Sequence, residues 1–446
     1  MDAPTRGAEQ LQILAGEVQD ALRRDGGRDV YNFEVFAKGA AVDGAGEPAI
    51  TVVLKEDETM TDPVANLLSM TPTLEVTHGP AGNDAISNFL VQEVRRIFQD
   101  EQASIAYLLQ GSSFSKAGKD FQLDQATTQA IEKRTTRAFK YASTYHVTFS
   151  LFAASASPSA WDIEEAVQQY INPLLQQLAS VSDFHVDTQI QLFASFSPSI
   201  AAPQLDETSN TYKLLHSDLS GFINAAEWPL SPSIGSGPTI NMVLYIPSPS
   251  QSPLLLENGG NSWTIPQWGG VQILNPNNTL TPRLSTSDLE PAMLTFADQL
   301  MSLLGVPPTP PSHAHRISRL KRERATSLIL SASSTLGALV RLTHKLENIA
   351  IPASVATSVD LTLHHLEAAC SCLRRGEYQA ALENSRVAEQ EAEKAFFEPS
   401  MVGQVYFPDE HKVAVYVPLL GPMAVPLVMS ALKELKGWRG GKVKTA

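Results

Sequence analysis

The chain has 446 residues, of which 43% are hydrophobic and 18% are charged, and its net charge is −14. This length predicts two or three globular units, and the composition excludes a largely disordered chain. The acidic balance, with no stripe of lysine and arginine to offset it, argues against a nucleic-acid-binding surface.

The first two thirds of the sequence alternate predicted strands with predicted helices. The run 49–54 (AITVVL) is apolar throughout, which predicts a strand covered on both faces. The alternation predicts an α/β fold with a mixed sheet and flanking helices, and a loop region with short inserts over 195–238. The predicted strands are 30–37, 49–54, 73–77, 145–152, 184–193, 239–246 and 270–274, and the predicted helices are 8–25, 84–110, 161–178 and 290–304.

The composition changes after the proline-rich stretch 306–312 (VPPTPPS), which predicts a stiff linker and a domain boundary. Helical patterns then cover 314–349, 353–374 and 377–397, and their short connections predict a helical hairpin or a small bundle. The resulting predicted order is an α/β body (1–305), a linker (306–312), a helical region (313–399), a transmembrane helix (412–433) and a basic tail (434–446).

The transmembrane prediction rests on Val413–Leu432, which contains no Asp, Glu, Lys, Arg or His. A helix of this length is about 30 Å long, the thickness of a bilayer's hydrocarbon core. An excess of positive charge flanks only its carboxyl end, since Asp409 and Glu410 offset His411 and Lys412 at its start, and such an excess marks the cytosolic side. The tail is therefore expected in the cytosol and the body across the membrane. The basic residues that follow the span are Lys433, Lys436, Arg439, Lys442 and Lys444.

Three prolines interrupt this apolar stretch, at Pro418, Pro422 and Pro426. In water each would disfavour a helix, and a buried core helix is the alternative interpretation, but membranes tolerate helical proline better. The spacing of four places all three on one helix face. We therefore expect this proline face to pack against the spans of other subunits.

A body on the far side of the membrane needs a signal sequence or an earlier span, and residues 1–27 provide neither. Two alternatives follow. Either an N-terminal segment has been lost, or the protein is tail-anchored and keeps its body in the cytosol.

The sequence predicts no catalytic, cofactor-binding or metal-binding residue, since nucleophile-elbow, zinc-binding, P-loop and dinucleotide-binding motifs are absent. Cys370 and Cys372 point apart on a helix and are expected to be unpaired core residues. His364 and His365 point about 100° apart, which predicts solvated or capping side chains.

Three further groups are interpreted as structural or exposed. The basic run 315–324 (HRISRLKRER) is expected to form a solvated helix face. Asp162, beside other acidic residues, is expected to complement a helix dipole. Asn277, in NPNNTLTP, is the glycosylation candidate, because it opens the sequence's one Asn-x-Thr acceptor without proline, in a polar turn.

Several stretches together resemble the PIG-S family, the S subunit of the glycosylphosphatidylinositol (GPI) transamidase. They are YHVTFSLF (145–152), WDIEEAVQQYINPLLQQL (161–178), QWGGVQILN (267–275) and the block 395–426. The last is the most specific, because FFEPS, YFPD and the proline-spaced span occur in the family's order. The resemblance runs with gaps from about residue 45 to the end.

The resemblance implies a non-catalytic scaffold subunit of the endoplasmic-reticulum complex that attaches GPI anchors to proprotein C-termini. It implies a lumenal α/β body, a cytosolic tail, no cofactor, and contact with PIG-K, PIG-T, PIG-U and the Gaa-type subunit, with transient contact to proprotein or GPI. The catalytic residues belong to PIG-K. Family members have a span at each end, and the first is absent here, which indicates a shortened chain.

Two rival functions remain open at this stage. A tail-anchored cytosolic adaptor would need no lost N-terminus, but it places the basic tail in the lumen. A hydrolase would need a site without a sequence motif, and Asp206, His216 and Ser217 are the residues from which a triad would have to be built.

Overall fold

The computed structural model describes residues 8–25, 33–37, 48–80, 82–111, 123–197, 202–219, 222, 237–275, 282–345, 351–401 and 409–440. Its contacts divide the chain into two compact units, described separately below. The first comprises Met1–Leu330 and Ala368–Asn384, and the second Ser331–Glu367 and Ser385–Ala446. This division falls within helices, and the boundaries expected from the sequence stay predictions.

The strands are numbered in chain order. They are β1 (Thr51–Glu56), β2 (Val64–Leu67), β3 (Thr73–His78), β4 (Thr144–Ala153), β5 (Ala160–Trp161), β6 (Asp183–Leu192), β7 (Gln204–Asp206), β8 (Thr211–Leu214), β9 (Thr239–Ile246), β10 (Leu254–Leu256), β11 (Ser262–Ile265), β12 (Gly269–Ile273) and β13 (Arg283–Leu284).

The α-helices follow the same convention. They are α1 (Ala8–Asp25), α2 (Asn83–Gly111), α3 (Gln125–Arg137), α4 (Ile163–Ala166), α5 (Asn172–Leu178), α6 (Thr286–Leu303), α7 (His313–Lys345), α8 (Ala353–Arg375), α9 (Tyr378–Phe396) and α10 (Asp409–Gly440). A π-helical turn, Val167–Ile171, joins α4 to α5.

The first unit is built on a five-stranded sheet in the order β11-β12-β9-β4-β6. The strands β12, β9, β4 and β6 are parallel, and β11 pairs antiparallel with β12, so the sheet is mixed as predicted. Side chains of β9 alternate between two cores: Met242 and Leu244 pack with α6, and Val243 and Tyr245 pack on the other face. Both faces of the sheet are therefore covered, which is typical of parallel strands.

The tightest backbone approach in this sheet occurs where β12 begins. A Cβ built on Gly269 would lie 1.9 Å from the Asn241 carbonyl oxygen of β9, and one on Gly270 would lie 2.0 Å from the Gln299 side chain of α6. Only glycine fits such contacts. The start of β12 is thus a glycine-dependent packing point between β9, β12 and α6, and the indole of the preceding Trp268 packs against the second core.

The N-terminal part of this unit holds a second sheet, β1-β3-β2, covered on one side by α1 and α2. The prediction that the strand at 49–54 is covered on both faces is wrong, because Val52 and Val53 of β1 are 36% and 38% exposed. Its apolar run sits at an edge of the sheet.

The strand predicted at 30–37 is not assigned as one over the described residues 33–37. The Gln19 side chain of α1 instead donates to the Phe33 carbonyl and accepts from the Val35 amide. The Gln19 side-chain amide thereby makes the two hydrogen bonds that a neighbouring strand would make.

The second unit contains the C-terminal half of α7, most of α8, the end of α9, and α10. Leu339, Val355, Ala395 and Met401 form one core cluster. An alanine cluster of Ala332, Ala388 and Ala392 forms another, with Leu336 and Leu366 against it. Because the end of α7 meets the start of α8 and the end of α9, α8 runs antiparallel to both.

Candidate membrane anchor and buried charge network

The C-terminal helix α10 has the length and composition of a membrane span. Its segment Ala414–Trp438 has 25 residues and a mean hydropathy of 1.8, with none of its apolar window buried. At 1.5 Å per residue such a segment is about 37 Å long. An apolar helical segment whose charged residues are confined to its last turns, and which its own chain leaves uncovered, fits a membrane anchor.

A second helix, α7, also passes the test of length and composition, with a mean hydropathy of 1.3. It differs from α10 because Ile317, Leu320, Ala325 and Leu328 belong to the core beside the five-stranded sheet. The apolar window of α7 is 22% buried, against 0% for that of α10, so α10 is the stronger candidate span.

The two ends of the apolar segment carry residues suited to a membrane interface. Tyr416 lies near its start and Trp438 at its end, both exposed, with Lys433 and Lys436 beside the tryptophan. Aromatic rings of this kind are enriched where hydrocarbon meets water, and lysines reach past it to the headgroups. The two aromatic positions are about 33 Å apart along the helix.

The proline face lies inside this helix, since Pro418, Pro422 and Pro426 all fall within α10. All three are exposed. Each proline removes the amide that would bond the carbonyl four residues earlier, so Ala414, Pro418 and Pro422 carry carbonyls without their usual donor. In a membrane such acceptors need a donor from a neighbouring helix or water.

A buried charge network lies in the first unit, where the sequence indicated a solvated face. The interpretation of 315–324 as a solvated face is wrong: His315, Arg319 and Arg322 are 0%, 2% and 8% exposed. Burial is tolerated because acidic partners are buried with them. The Arg322 guanidinium donates to both carboxylate oxygens of Glu101 in α2, at 2.6 and 2.8 Å.

The same guanidinium is also held by rings. Arg322 lies 4.8 Å from the centre of the Tyr378 ring and 5.6 Å from that of Phe98. A planar cation between aromatic faces, in bidentate contact with a carboxylate, is a geometry that arginine makes and lysine does not.

A second carboxylate, Glu323, joins two more arginines. It accepts from Arg319 at 2.8 Å and from Arg134 of α3 at 2.8 Å. Arg319 also donates to the Asp100 carbonyl and to the Ser104 hydroxyl of α2. The network therefore ties α2 and α3 to the start of α7.

His315 is buried against this network without a hydrogen bond, because neither ring nitrogen has a partner among the described residues. Its ring packs edge-on against Phe98, with centres 5.0 Å apart. Burial first, and then the positive charges of Arg322 and Arg319, lower the pKa of His315 to about 3. The imidazole is consequently neutral in the folded protein at physiological pH.

The residues considered for a hydrolase do not form a triad. The Asp206 carboxylate accepts from Lys213 and from the Thr208 amide, and the Ser217 hydroxyl donates to Asp218. Lys213 lowers the pKa of Asp206, which keeps it an acceptor engaged in the β7–β8 pair.

The remaining candidates have structural surroundings. Cys370 and Cys372 are free, as expected, and no group of His, Cys, Asp or Glu among the described residues has the arrangement of a metal site. Asp162 is the N-cap of α4 and pairs with Arg283. Asn277 lies outside the described residues.

Comparison with known proteins places these features in a family. The family model for PIG-S, phosphatidylinositol-glycan biosynthesis class S protein, matches residues 11–441. The GPI transamidase component PIG-S homolog of Schizosaccharomyces pombe is 35% identical over 323 residues, which is 70% of this chain and 57% of that protein. The GPI-anchor transamidase component PIGS of Homo sapiens is 32% identical over 343 residues, 70% of this chain and 60% of that one.

A third relative, the GPI transamidase component GPI17 of Saccharomyces cerevisiae, is 29% identical over 351 residues, which is 71% of this chain and 63% of that protein. The chain thus spans about three fifths of the length of the curated relatives it matches. The family match includes the sheet, the buried charge network and the proline-spaced helix alike. The chain belongs to the PIG-S family.

Proposed function

We propose that this protein is a subunit of the GPI transamidase and supports the attachment of GPI anchors to proprotein C-termini. The observation that carries the proposal is the family membership, since its relatives are named as components of that transamidase. The complex acts in the endoplasmic reticulum, so the protein would reside in that membrane.

The proposed anchor is α10, with the body in the lumen and the tail in the cytosol. Lys433 and Lys436 close the apolar segment, and further basic residues follow in the sequence, whereas its start carries no such excess. Positive charge beside the end of a span favours the cytosolic side. The proline face would contact the spans of other subunits.

The proposed role is scaffolding without catalysis. Partner subunits of the PIG-K, PIG-T, PIG-U and Gaa types would bind the body and the span, and the PIG-K type would provide the chemistry. Two of the three candidate triad residues, Asp206 and Ser217, have side chains engaged in other hydrogen bonds, which supports this division of labour.

The test is protease protection of microsomes from cells that express the full chain with tags at both ends, combined with co-purification. We expect protease to remove only the C-terminal tag from intact vesicles, and to digest the body once detergent opens them. The tagged chain should recover the PIG-T and PIG-K subunits.

Two outcomes would contradict the proposal at different points. Digestion of the body in intact vesicles would reject the lumenal orientation and favour a tail-anchored cytosolic adaptor. A protected body that recovers neither PIG-T nor PIG-K would reject the assignment to the complex while leaving the topology in place.

A further inference from the structure

One end of the helical part of the second unit exposes three large apolar side chains. Val340 at the end of α7, Ile351 just before α8 and Phe397 just after α9 are 53%, 53% and 62% exposed. Each is a β-branched or aromatic residue of a kind usually buried. We call these three residues the apolar tip.

The three side chains surround one core cluster. Val340 follows Leu339, Ile351 lies one turn before Val355, and Phe397 follows Phe396, against whose ring its own packs at 5.0 Å. Leu339 and Val355 are members of the cluster that also holds Ala395 and Met401, and Phe396 packs against it. The three residues of the apolar tip therefore lie at the same end of these helices.

Charged residues border this surface. Arg341, His344 and Lys345 are exposed in the last turns of α7, beside Val340. Glu393 and Glu398 lie beside Phe397. An apolar centre with cations at its border resembles the composition of protein surfaces that lie at the boundary between lipid headgroups and acyl chains. The acidic side chains would limit such a surface to that boundary.

The chain itself keeps the apolar tip close to the membrane span. Met401, in the cluster under the tip, is joined to Asp409, where α10 begins, by residues 402–408. Fully extended, that connection reaches at most about 28 Å. Such a tether holds the tip at a high effective concentration beside any bilayer that α10 crosses, so even weak insertion would be populated.

We propose that the apolar tip inserts into the interfacial region of the bilayer leaflet from which α10 enters the membrane, as a second membrane contact of this chain. The proposal rests on the proposed function, because it requires α10 to be a span. A partner protein is the competing occupant. The tether favours lipid, because it keeps the tip within reach of the bilayer that α10 crosses, and no second protein is needed. The cationic border also favours lipid, because its cations can contact the phosphates of the headgroups.

The contact would fix the tilt of the helices relative to the bilayer, which a single span does not. A single attachment leaves these helices free to tilt, whereas two attachments at different points restrict them.

The experiment measures the depth of single labelled sites in the full chain, reconstituted into phosphatidylcholine nanodiscs. Cys370 and Cys372 are first replaced by alanine. A single cysteine is then placed by Phe397→Cys, Ile351→Cys or Val340→Cys, and labelled with an environment-sensitive fluorophore. Fluorescence is compared in nanodiscs with and without phosphatidylcholine that carries a nitroxide quencher on its headgroup.

Two further positions are labelled in the same way as controls. Leu363→Cys lies on α8, has a similar exposure of 49%, and is about 15 Å along the helix from its first residue, Ala353. Val425→Cys lies in the middle of the span and reports, with a nitroxide at mid-chain depth, whether α10 crosses the bilayer.

We expect headgroup nitroxide to reduce the fluorescence of the three tip sites about twofold or more, and to leave the Leu363 site unchanged. A quenched Val425 site with unquenched tip sites would overturn the insertion and leave the membrane anchor intact. Equal quenching at Leu363 would also overturn it, because the contact would not be specific to the tip. An unquenched Val425 site would overturn the anchor and the insertion together.

A final measurement separates lipid from a partner protein. In the purified transamidase complex, tip sites that become shielded from a water-soluble quencher without being quenched by headgroup nitroxide would assign the surface to another subunit and reject the proposal. The labelled positions are exposed, so each cysteine variant should fold as the parent chain with alanine at Cys370 and Cys372 does, and urea unfolding of that parent chain checks the replacement of the buried Cys372.

Discussion

At the scale of single residues, the buried pair of Arg322 and Glu101 has the clearest energetic consequence. Removing one member of a buried ion pair leaves the other charge uncompensated, which costs about 3–5 kcal/mol. We predict that Glu101→Gln lowers the free energy of unfolding of the first unit by about that amount. Urea unfolding of the full chain in detergent, followed by tryptophan fluorescence, measures it.

The matched control for that substitution lies on the same helix. Glu93→Gln breaks the pair with Arg96, whose side chain is 64% exposed, and should change stability by less than about 1 kcal/mol. If both variants lowered the free energy of unfolding equally, burial would not increase the energetic cost of breaking the Glu101–Arg322 pair. The double change Glu101→Leu with Arg322→Met should recover much of the loss, because it removes both charges.

His315 gives a second prediction at this scale, for pH dependence. Its pKa is lowered to about 3 in the folded protein by burial and by two arginines, against about 6.5 in the unfolded chain. Between these values the unfolded chain binds a proton that the folded one does not, so stability falls as the pH drops below about 6.5. By pH 5 the loss from this group reaches about 2 kcal/mol.

Replacement of the imidazole by a ring that does not titrate should remove that loss. We predict that His315→Phe flattens the stability curve between neutral pH and about pH 5, relative to the unsubstituted chain, by about 2 kcal/mol. Urea midpoints across the pH range measure the difference. Identical slopes for both proteins would show that His315 does not titrate on unfolding. His364→Phe, at an exposed position, controls for the loss of a histidine as such.

At the scale of elements, the sequence predicts a strand or helix correctly where the pattern of side chains within that segment determines it. Strand β9 is predicted with its observed bounds, because apolar side chains fill both of its faces. The three-residue strands β7 and β10 are too short for any periodicity to be recognised. The helix α6 begins at Thr286, four residues before its predicted start, because the capping box of Ser285 and Asp288 precedes Pro291.

The buried charge network is the clearest example of burial that a local sequence pattern does not predict. The pattern HRISRLKRER has charges around the whole helix and therefore indicates solvent exposure. The carboxylate that permits burial of Arg322 is 221 residues away, in α2. No local window of sequence contains that information. The apolar C-terminal helix is the opposite case, since its composition alone makes it a candidate membrane span.

The proline face of α10 provides the prediction at the scale of this element. Under the proposed function, the freed carbonyls and the flat ring surface contact neighbouring spans. We predict that Pro422→Leu with Pro426→Leu leaves the chain in the membrane but lowers the recovery of co-purified transamidase subunits about fivefold or more. Quantitative immunoblotting of the purified complex from mild detergent measures this.

The control places the same added bulk on the opposite side of the helix. Ala424→Leu with Val428→Leu lies about 200° from the two prolines and should leave recovery unchanged. A loss of subunits in both variants would assign the contact to the whole circumference of the helix, and a loss in neither would assign assembly to the body alone.

At the scale of the whole molecule, the two units carry different kinds of information about function. The first unit is a covered mixed sheet in which the buried Arg319 and Arg322 pair with Glu323 and Glu101, so its architecture specifies stability. The second unit ends in exposed apolar surface, at the apolar tip and along α10. Exposed apolar surface of that kind is typical of sites that contact lipid or another protein. Under the proposed function, the second unit therefore provides the membrane anchor and contacts with other subunits.

A scaffold and an enzyme differ in how they respond to the loss of one reactive side chain. Desolvation first, and then Glu377, raise the pKa of the Cys372 thiol, which disfavours the nucleophilic thiolate. We predict that Cys372→Ala, Ser217→Ala and His216→Ala each leave transamidation within about twofold, whereas loss of a catalytic nucleophile costs about a thousandfold or more. Surface display of a GPI-anchored reporter, in cells that depend on the variant chain, measures this.

The contradicting outcome is a variant that still recovers its partner subunits but loses surface display by that larger factor. Because assembly would then be normal while the reaction was lost, such a variant would identify this chain as catalytic.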